Sequence, residues 1–149
     1  MLDYLETTID KFIFKVAKDR LYTSEGIWAK IENSLVRIGV TDFFQQHNGD
    51  IAFATVQPAG TVVGVNDELA SVETIKVTLA LTSPISGKIV NINKLVTPKP
   101  EIINQDPYGS GWLCEIEAKR WEAESEKLLT PDQYFTKMKN DAEEEVNKG

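Results

Sequence analysis

Glu68-Leu69-Ala70-Ser71-Val72-Glu73-Thr74-Ile75-Lys76-Val77, followed by Ser83-Pro84-Ile85-Ser86-Gly87-Lys88-Ile89-Val90, is the stretch whose reading decides the fold. Across residues 69–81 the odd positions include Leu69, Ile75, Val77, Leu79 and Leu81, and the even ones include Thr74, Lys76, Thr78 and Ala80. Period-two alternation with β-branched residues predicts strand. A single strand of that length would exceed the usual range of ~3–10 residues, so the chain reverses within it. No Gly, Pro, Asn or Asp marks the reversal, and turn residues therefore do not place Lys76 at the tip. Taken alone, a lysine among strand residues reads as a solvated charge.

The rest of the 149-residue chain has the balance of a globular domain, 42% hydrophobic and 26% charged, and one domain of this length can bury its own core. A formal net charge of −7 argues against nucleic acid, whose phosphates it would repel, and equally against anionic membrane surfaces. No apolar run approaches the roughly 20 residues of a membrane-spanning helix. The start, Met1-Leu2-Asp3-Tyr4-Leu5-Glu6, lacks the basic and apolar regions of a secretory signal. A single cysteine, Cys114, permits no internal disulfide and fits a reducing compartment. One histidine and one cysteine supply neither a protein-built zinc site nor a catalytic triad. The expectation is a cytoplasmic carrier or binding module with no catalytic residue and no metal.

Along the chain, residues 1–19 form an N-terminal extension. Leu5, Ile9, Phe12, Ile13 and Val16 recur at spacings near three and four, which predicts a short amphipathic helix followed by an extended segment. Lys11-Phe12-Ile13-Phe14-Lys15-Val16 is the competing strand. A first strand region follows over residues 22–31, a turn at Glu32-Asn33-Ser34 and a second strand over residues 35–40. Thr41-Asp42 caps a short helix through His47, which Asn48-Gly49 ends. Residues 50–56 return as strand, and Pro58-Ala59-Gly60 turns it. Residues 61–69 and 87–95 read as halves of a quasi-repeat, each a turn followed by a short β pair. Asp106-Pro107 with Gly109 and Gly111 makes a tight multi-turn loop, after which Trp112 folds into the core as the last strand begins. Past Lys119 the pattern turns helical. Thr130-Pro131-Asp132 caps a helix with the apolar stripe Tyr134, Phe135 and Met138, and Glu143-Glu144-Glu145 reads as a solvated, frayed tail.

The Lys76 stretch resembles the attachment site of lipoyl carriers, and most of all the glycine cleavage H-protein family. There a lysine in a Val-Glu-Ser-Val-Lys-like context carries lipoic acid in amide linkage, and a Ser-Pro-x-Ser-Gly-x-Val turn and strand follow. Here the matching lysine is Lys76, preceded by Val72-Glu73-Thr74-Ile75. A second family pattern, Pro-x-x-x-Asn-x-Asp-Pro-Tyr-Gly-x-Gly-Trp, holds from Pro100 to Trp112 at every fixed position. Gly39-Val40-Thr41-Asp42 and Asn48-Gly49-Asp50-Ile51 correspond to Gly-Ile-Thr-Asp and Leu-Gly-Asp-Ile.

The resemblance implies a mainly β, lipoyl/biotinyl-type flattened β-barrel (a barrel-sandwich hybrid) with peripheral short helices and a C-terminal helix. It implies a carrier domain over residues 20–119, with residues 120–149 packed on it and Lys76 at a hairpin tip. Lipoic acid would be the covalent cofactor, and Glu73 a recognition residue for the modifying enzyme, its bland alternative being a surface charge. The implied partners are a lipoate ligase or other lipoyl-attachment enzyme, glycine cleavage enzymes and dihydrolipoamide dehydrogenase.

Three places depart from the family pattern. Gly26-Ile27-Trp28 stands where a His-x-Trp motif is usual, Asp42-Phe43-Phe44-Gln45-Gln46 differs from the usual Tyr-Ala-Gln, and Thr78-Leu79-Ala80-Leu81 replaces small and acidic residues. These places are similar to the lipoate-binding proteins of the heterodisulfide-reductase-like sulfur oxidation pathway, which share Thr-Asp-x-x-Gln-Gln, Gly-Asp-x-Ala-Phe and Glu-Thr-Ile-Lys-Val. That branch implies a sulfur-bearing cargo and a heterodisulfide-reductase-like complex as partner; the alternative cargo is the aminomethyl group of glycine. His47, without a second ligand or base, reads as structural or solvated. Cys114 reads as a buried inert thiol, and Gly60, Gly64 and Gly87 have no phosphate-binding spacing.

Overall fold

Residues Tyr4–Ile9 (β1) and Phe12–Ala17 (β2) pair antiparallel in a computed structural model that describes residues 2–148. The predicted N-terminal helix is therefore wrong, and the competing strand is right. A spacing of four satisfies a strand as well as a helix, because Leu5 and Ile9 share one face of either. Asp10, at φ 58, takes the left-handed turn conformation that reverses the chain. Phe14 and Val16 are buried, whereas Ile13, which would complete the helical stripe, is 50% exposed.

The chain continues through β3 (Leu21–Tyr22), β4 (Ile27–Glu32) and β5 (Leu35–Val40), with Asn33 at φ 59 in the expected turn. Helix α1 (Asp42–Asn48) starts at Thr41, whose hydroxyl accepts the Phe44 amide at 3.1 Å, and ends at Gly49. Strands β6 (Ile51–Val56), β7 (Val62–Val63), β8 (Glu68–Thr74), β9 (Thr78–Thr82) and β10 (Gly87–Ile92) follow. A short helix α2 (Ile102–Gln105), not predicted, opens the Asp106-Pro107 loop before β11 (Cys114–Ala118). Helices α3 (Trp121–Ser125) and α4 (Pro131–Lys148) close the chain. The acidic residues 143–145 are not frayed; they belong to α4.

One sheet runs β3-β4-β5-β11-β10-β7 and another β6-β8-β9. Both present apolar side chains to one core: Ile27, Val36, Ile38 and Ile116 from the first, and Ile51, Leu69, Val72 and Leu81 from the second. The fold is mainly β with few short helices, a flattened barrel sandwich whose sheets do not close. The two blocks read as repeat halves do meet, Val63 pairing with Gly87 and Val62 with Lys88, but the second supplies only the one strand β10.

A second core lies beneath the β1–β2 hairpin and α4, built on Val16, Tyr22, Trp28, Tyr134 and Met138. The loop after α2 seals it. Trp28 Nε1 donates to the Pro107 carbonyl at 3.0 Å, and the buried Arg20 guanidinium lies 4.4 Å from the Trp28 ring while donating to the Tyr108 carbonyl at 2.9 Å. Such stacking suits the flat guanidinium. Trp112, expected in the core, is half-buried instead, beneath Arg37 at 4.4 Å.

Gly39, opposite Trp28 in the β4–β5 pair, leaves room for this ring: a Cβ there would lie 2.4 Å from it. Gly39→Ala is expected to destabilise the fold by about 1–3 kcal/mol through overpacking. Urea unfolding would show it as a lower midpoint at unchanged slope.

Candidate functional site

The reversal between β8 and β9 is built by one side chain. The Thr74 amide donates to the Val77 carbonyl at 2.9 Å, and its Oγ1 accepts from the amides of both Lys76 and Val77 at 3.2 Å. A hydroxyl that bonds its own backbone two and three residues on replaces the glycine or proline of a commoner turn. Sequence reasoning missed this threonine because it looked only for Gly, Pro, Asn and Asp. Below the turn Val72 pairs with Leu79, and both point inward. Ile75 therefore leaves the strand pattern and stands 94% exposed.

Lys76 is exposed beside it, and no ion pair among the described residues involves its amine. Phe53 on β6, 66% exposed, and Val77, 41% exposed, add further bare apolar surface to this sheet. Glu73 is exposed opposite Thr78 and does not line the cleft next to Lys76.

That cleft, of about 170 Å³, runs between the hairpin tip (Thr74, Ile75, Lys76) and the end of α1 (Gln46, His47, Asn48). The position of α1 follows from its first residues. Thr41, fully buried, meets the Tyr134 hydroxyl at 2.8 Å, and its amide donates to the Gly26 carbonyl at 2.9 Å. Gly26 has φ 92, and a Cβ there would come within 3.2 Å of Thr41 Oγ1 and 3.3 Å of Phe44. A histidine at this place, as the family pattern would have it, would need a strained backbone at this φ and a small give in Thr41 or Phe44.

The α1 stretch that departs from the family pattern also has a structural use. Asp42 accepts the Lys15 amide at 3.0 Å and the Gln45 side chain at 2.9 Å, and Gln46 donates to the Ile13 carbonyl at 2.9 Å. Side chains of α1 thus cap the free edge of β2 and hold the N-terminal hairpin. Asn104, a fixed position of the second signature, accepts the Ile51 amide and donates to Gln45 and to the Gly49 carbonyl. It ties α2 to the loop below the cleft.

His47, read as structural or solvated, sits on the cleft wall, half-exposed, with its ring stacked on Phe43 and Nδ1 2.9 Å from Glu145. Cys114 is fully buried in β11, and burial pushes its thiol up to about 12. Among the described residues there is no cluster of His, Cys, Asp or Glu fit to hold a metal, and no helix is long and apolar enough to cross a membrane. The chemistry on offer is one accessible primary amine at a pinned tip. An acyl group on that amine would project from the protein, so the residues fit a lysine-linked prosthetic group.

The chain is similar to known proteins of one family. The family model described as glycine cleavage H-protein matches residues 20–141. The glycine cleavage system H protein of Carboxydothermus hydrogenoformans is 37% identical over 128 residues, covering 86% of this chain and 98% of its own. The probable glycine cleavage system H protein of Aeropyrum pernix is 36% identical over 135 residues, covering 91% and 94%. The crystal structure of a glycine cleavage system H protein from Mycobacterium marinum superposes with TM-score 0.70 at 30% identity, over 78% of this chain and 94% of that one.

Two outcomes follow from the site's geometry. Thr74→Val should loosen the tip by about 0.5–1 kcal/mol, the worth of one net hydrogen bond. Hydrogen exchange at the Lys76 and Val77 amides would rise several-fold, while Thr74→Ser would keep the native rate. The neutral, buried Cys114 thiol should resist aromatic disulfide reagents at pH 7 in the native protein and react fully once urea unfolds it.

Proposed function

Because the chain belongs to the glycine cleavage H-protein family, whose members are covalently lipoylated carriers that work with partner enzymes and are not enzymes themselves, we propose that Lys76 bears the lipoyl arm. The proposed cargo is the aminomethyl group of glycine, taken from glycine decarboxylase to the aminomethyltransferase. Dihydrolipoamide dehydrogenase would restore the carrier. The observation that carries this reading is a single exposed, unpaired lysine on a hairpin tip pinned by Thr74.

When bound, the lipoyl group supplies the redox and group-carrying chemistry. The chain's own part is positional. Thr74 fixes the lysine backbone, exposure lets a lipoate ligase and then the partner enzymes reach the amine, and the absence of an ion pair leaves the amine free for acylation. Glu73, exposed three residues earlier, would be read by the modifying enzyme.

A sulfur-bearing cargo is the second reading, favoured by the resemblance of Thr41-Asp42-Phe43-Phe44-Gln45-Gln46, Gly49-Asp50-Ile51-Ala52-Phe53 and Glu73-Thr74-Ile75-Lys76-Val77 to the sulfur branch. The relatives above carry glycine cleavage names, which supports the aminomethyl cargo. The Asp42, Gln45 and Gln46 pattern, which points toward the sulfur branch, has a structural use in holding the N-terminal hairpin.

Incubation with lipoate, ATP and a lipoate ligase should add one lipoyl increment to the intact mass, and Lys76→Arg should abolish it. The lipoylated protein should then support glycine–bicarbonate exchange by glycine decarboxylase. Lipoylation without exchange would point to the sulfur cargo, and no increment with any of several ligases would sink the carrier reading.

A further inference from the structure

Phe53 is turned to solvent against the pattern of its own strand. Ile51, two residues earlier on β6, is buried in the core, and alternation along a strand would send Phe53 to the same side. Between them the register shifts: Ile51 pairs with Thr74 of β8 and Phe53 with Glu73, which leaves Ala52 as the extra residue of a bulge. A bulge re-aims the side chain beside it, and Phe53 stands 66% exposed. Its pairing sets it next to Glu73, across a strand spacing of about 5 Å, with Thr78 on the other side of that glutamate. Ile75, two residues beyond Glu73, is 94% exposed for a related reason, since the Thr74 bonds that pin the turn take it out of the strand pattern. Backbone geometry thus holds two large apolar side chains in water beside Glu73, and neither belongs to either core.

Resting on the lipoyl-lysine reading above, we propose that Phe53 and Ile75 are specificity-determining residues for lipoylation, covered by apolar surface of the lipoyl-attaching enzyme while a cation of that enzyme meets Glu73. The choice of enzyme follows from reach. The enzyme that forms the amide must bring its active site to Nζ of Lys76 itself, so its surface comes within one lysine side chain of the hairpin. An enzyme that acts later meets the dithiolane at the far end of an arm lengthened by the acyl chain, and it can stand clear of Phe53 and Ile75. Covering the two side chains removes apolar area from water. The ordering cost is small, because a β-branched side chain is stiff and the backbone of Ile75 lies within the pinned turn. Glu73 beside them fixes the register of the approach, which is what a charge at an interface contributes more than affinity. The attaching enzyme therefore reads an acidic residue with an aromatic neighbour across the strand and an aliphatic one along it.

The test uses the full-length chain as the protein substrate of a lipoate ligase that modifies it, with lipoate and ATP, and initial rates are read by intact mass. Phe53→Ser and Ile75→Ser should each lower kcat/KM for the carrier about tenfold, mainly through KM, the factor that corresponds to one interface contact of about 1.4 kcal/mol. Phe53→Leu and Ile75→Val, which stay apolar, should recover most of the rate. Acetylation of Lys76 by a small N-hydroxysuccinimide ester should proceed equally in native protein and variants, and so should reduction of the lipoylated forms by dihydrolipoamide dehydrogenase and NADH. An unchanged kcat/KM in both serine variants overturns the proposal while leaving lipoylation standing. Acetylation of Lys76 that changes along with the ligase rate overturns it in favour of a disturbed tip, and an equal loss with the dehydrogenase overturns it in favour of a surface common to all partners. Native protein that sediments as a dimer while Phe53→Ser sediments as a monomer overturns it in favour of a second copy. Failure to obtain any lipoyl increment on the native chain removes the carrier reading and this inference with it.

Discussion

The buried hydroxyl of Thr41 is the contact on which the site depends. It caps α1 through the Phe44 amide and meets the Tyr134 hydroxyl of α4, while its own amide is tied to Gly26. Burial raises the Tyr134 phenol well above its ordinary value, so the ring stays neutral across the physiological range and can share a proton with Thr41. Loss of either hydroxyl would leave the other in a dry setting, at a cost of about 1–3 kcal/mol. One residue thereby joins the β4 loop, the C-terminal helix and the helix whose far end faces Lys76.

The residues that match the family model, 20–141, take in the barrel sandwich and most of α4, and the N-terminal hairpin packs on them. The β8–β9 tip stands on the core of the barrel sandwich, into which Val72 and Leu79 point. The hairpin and α4 make a second core against Tyr22 and Trp28, and they meet the carrier along α1. Asp42 and Gln46 fill the edge of β2 with side-chain hydrogen bonds, which manages an exposed strand edge without a further strand. Within the α1 stretch that departs from the family pattern, Gln46 thus helps seat the hairpin, and Gly26 holds a positive φ at a place where a Cβ would be tight against Thr41 and Phe44.

Much of the carrier was legible in the sequence. Strands β4 to β6 and the capped helix α1 were readable because Thr41, Asn33 and Gly49 mark their ends with residues whose physics is local. The lysine tip was legible only through resemblance, since Thr74 makes its turn with a hydroxyl that also reads as an ordinary strand residue. The N-terminal hairpin was misread because apolar residues four apart serve both periods, and the neighbouring α4 and α1, distant in sequence, decide between them. The same holds for residues 143–145: an acidic run looks solvated, yet Glu145 reaches His47 from an intact helix. His47 itself gave no signal, because its closeness to Lys76 arises from the pairing of β6 with β8.

The central claim is that the exposed lysine of this tip is the one that carries the prosthetic group. Tandem mass spectrometry of peptides from the protein purified out of cells that make it tests this most directly. The account predicts a lipoyl group on the peptide containing Lys76 and on no other lysine. A bare Lys76 beside a lipoylated lysine elsewhere, such as the exposed Lys88 of β10, would contradict it.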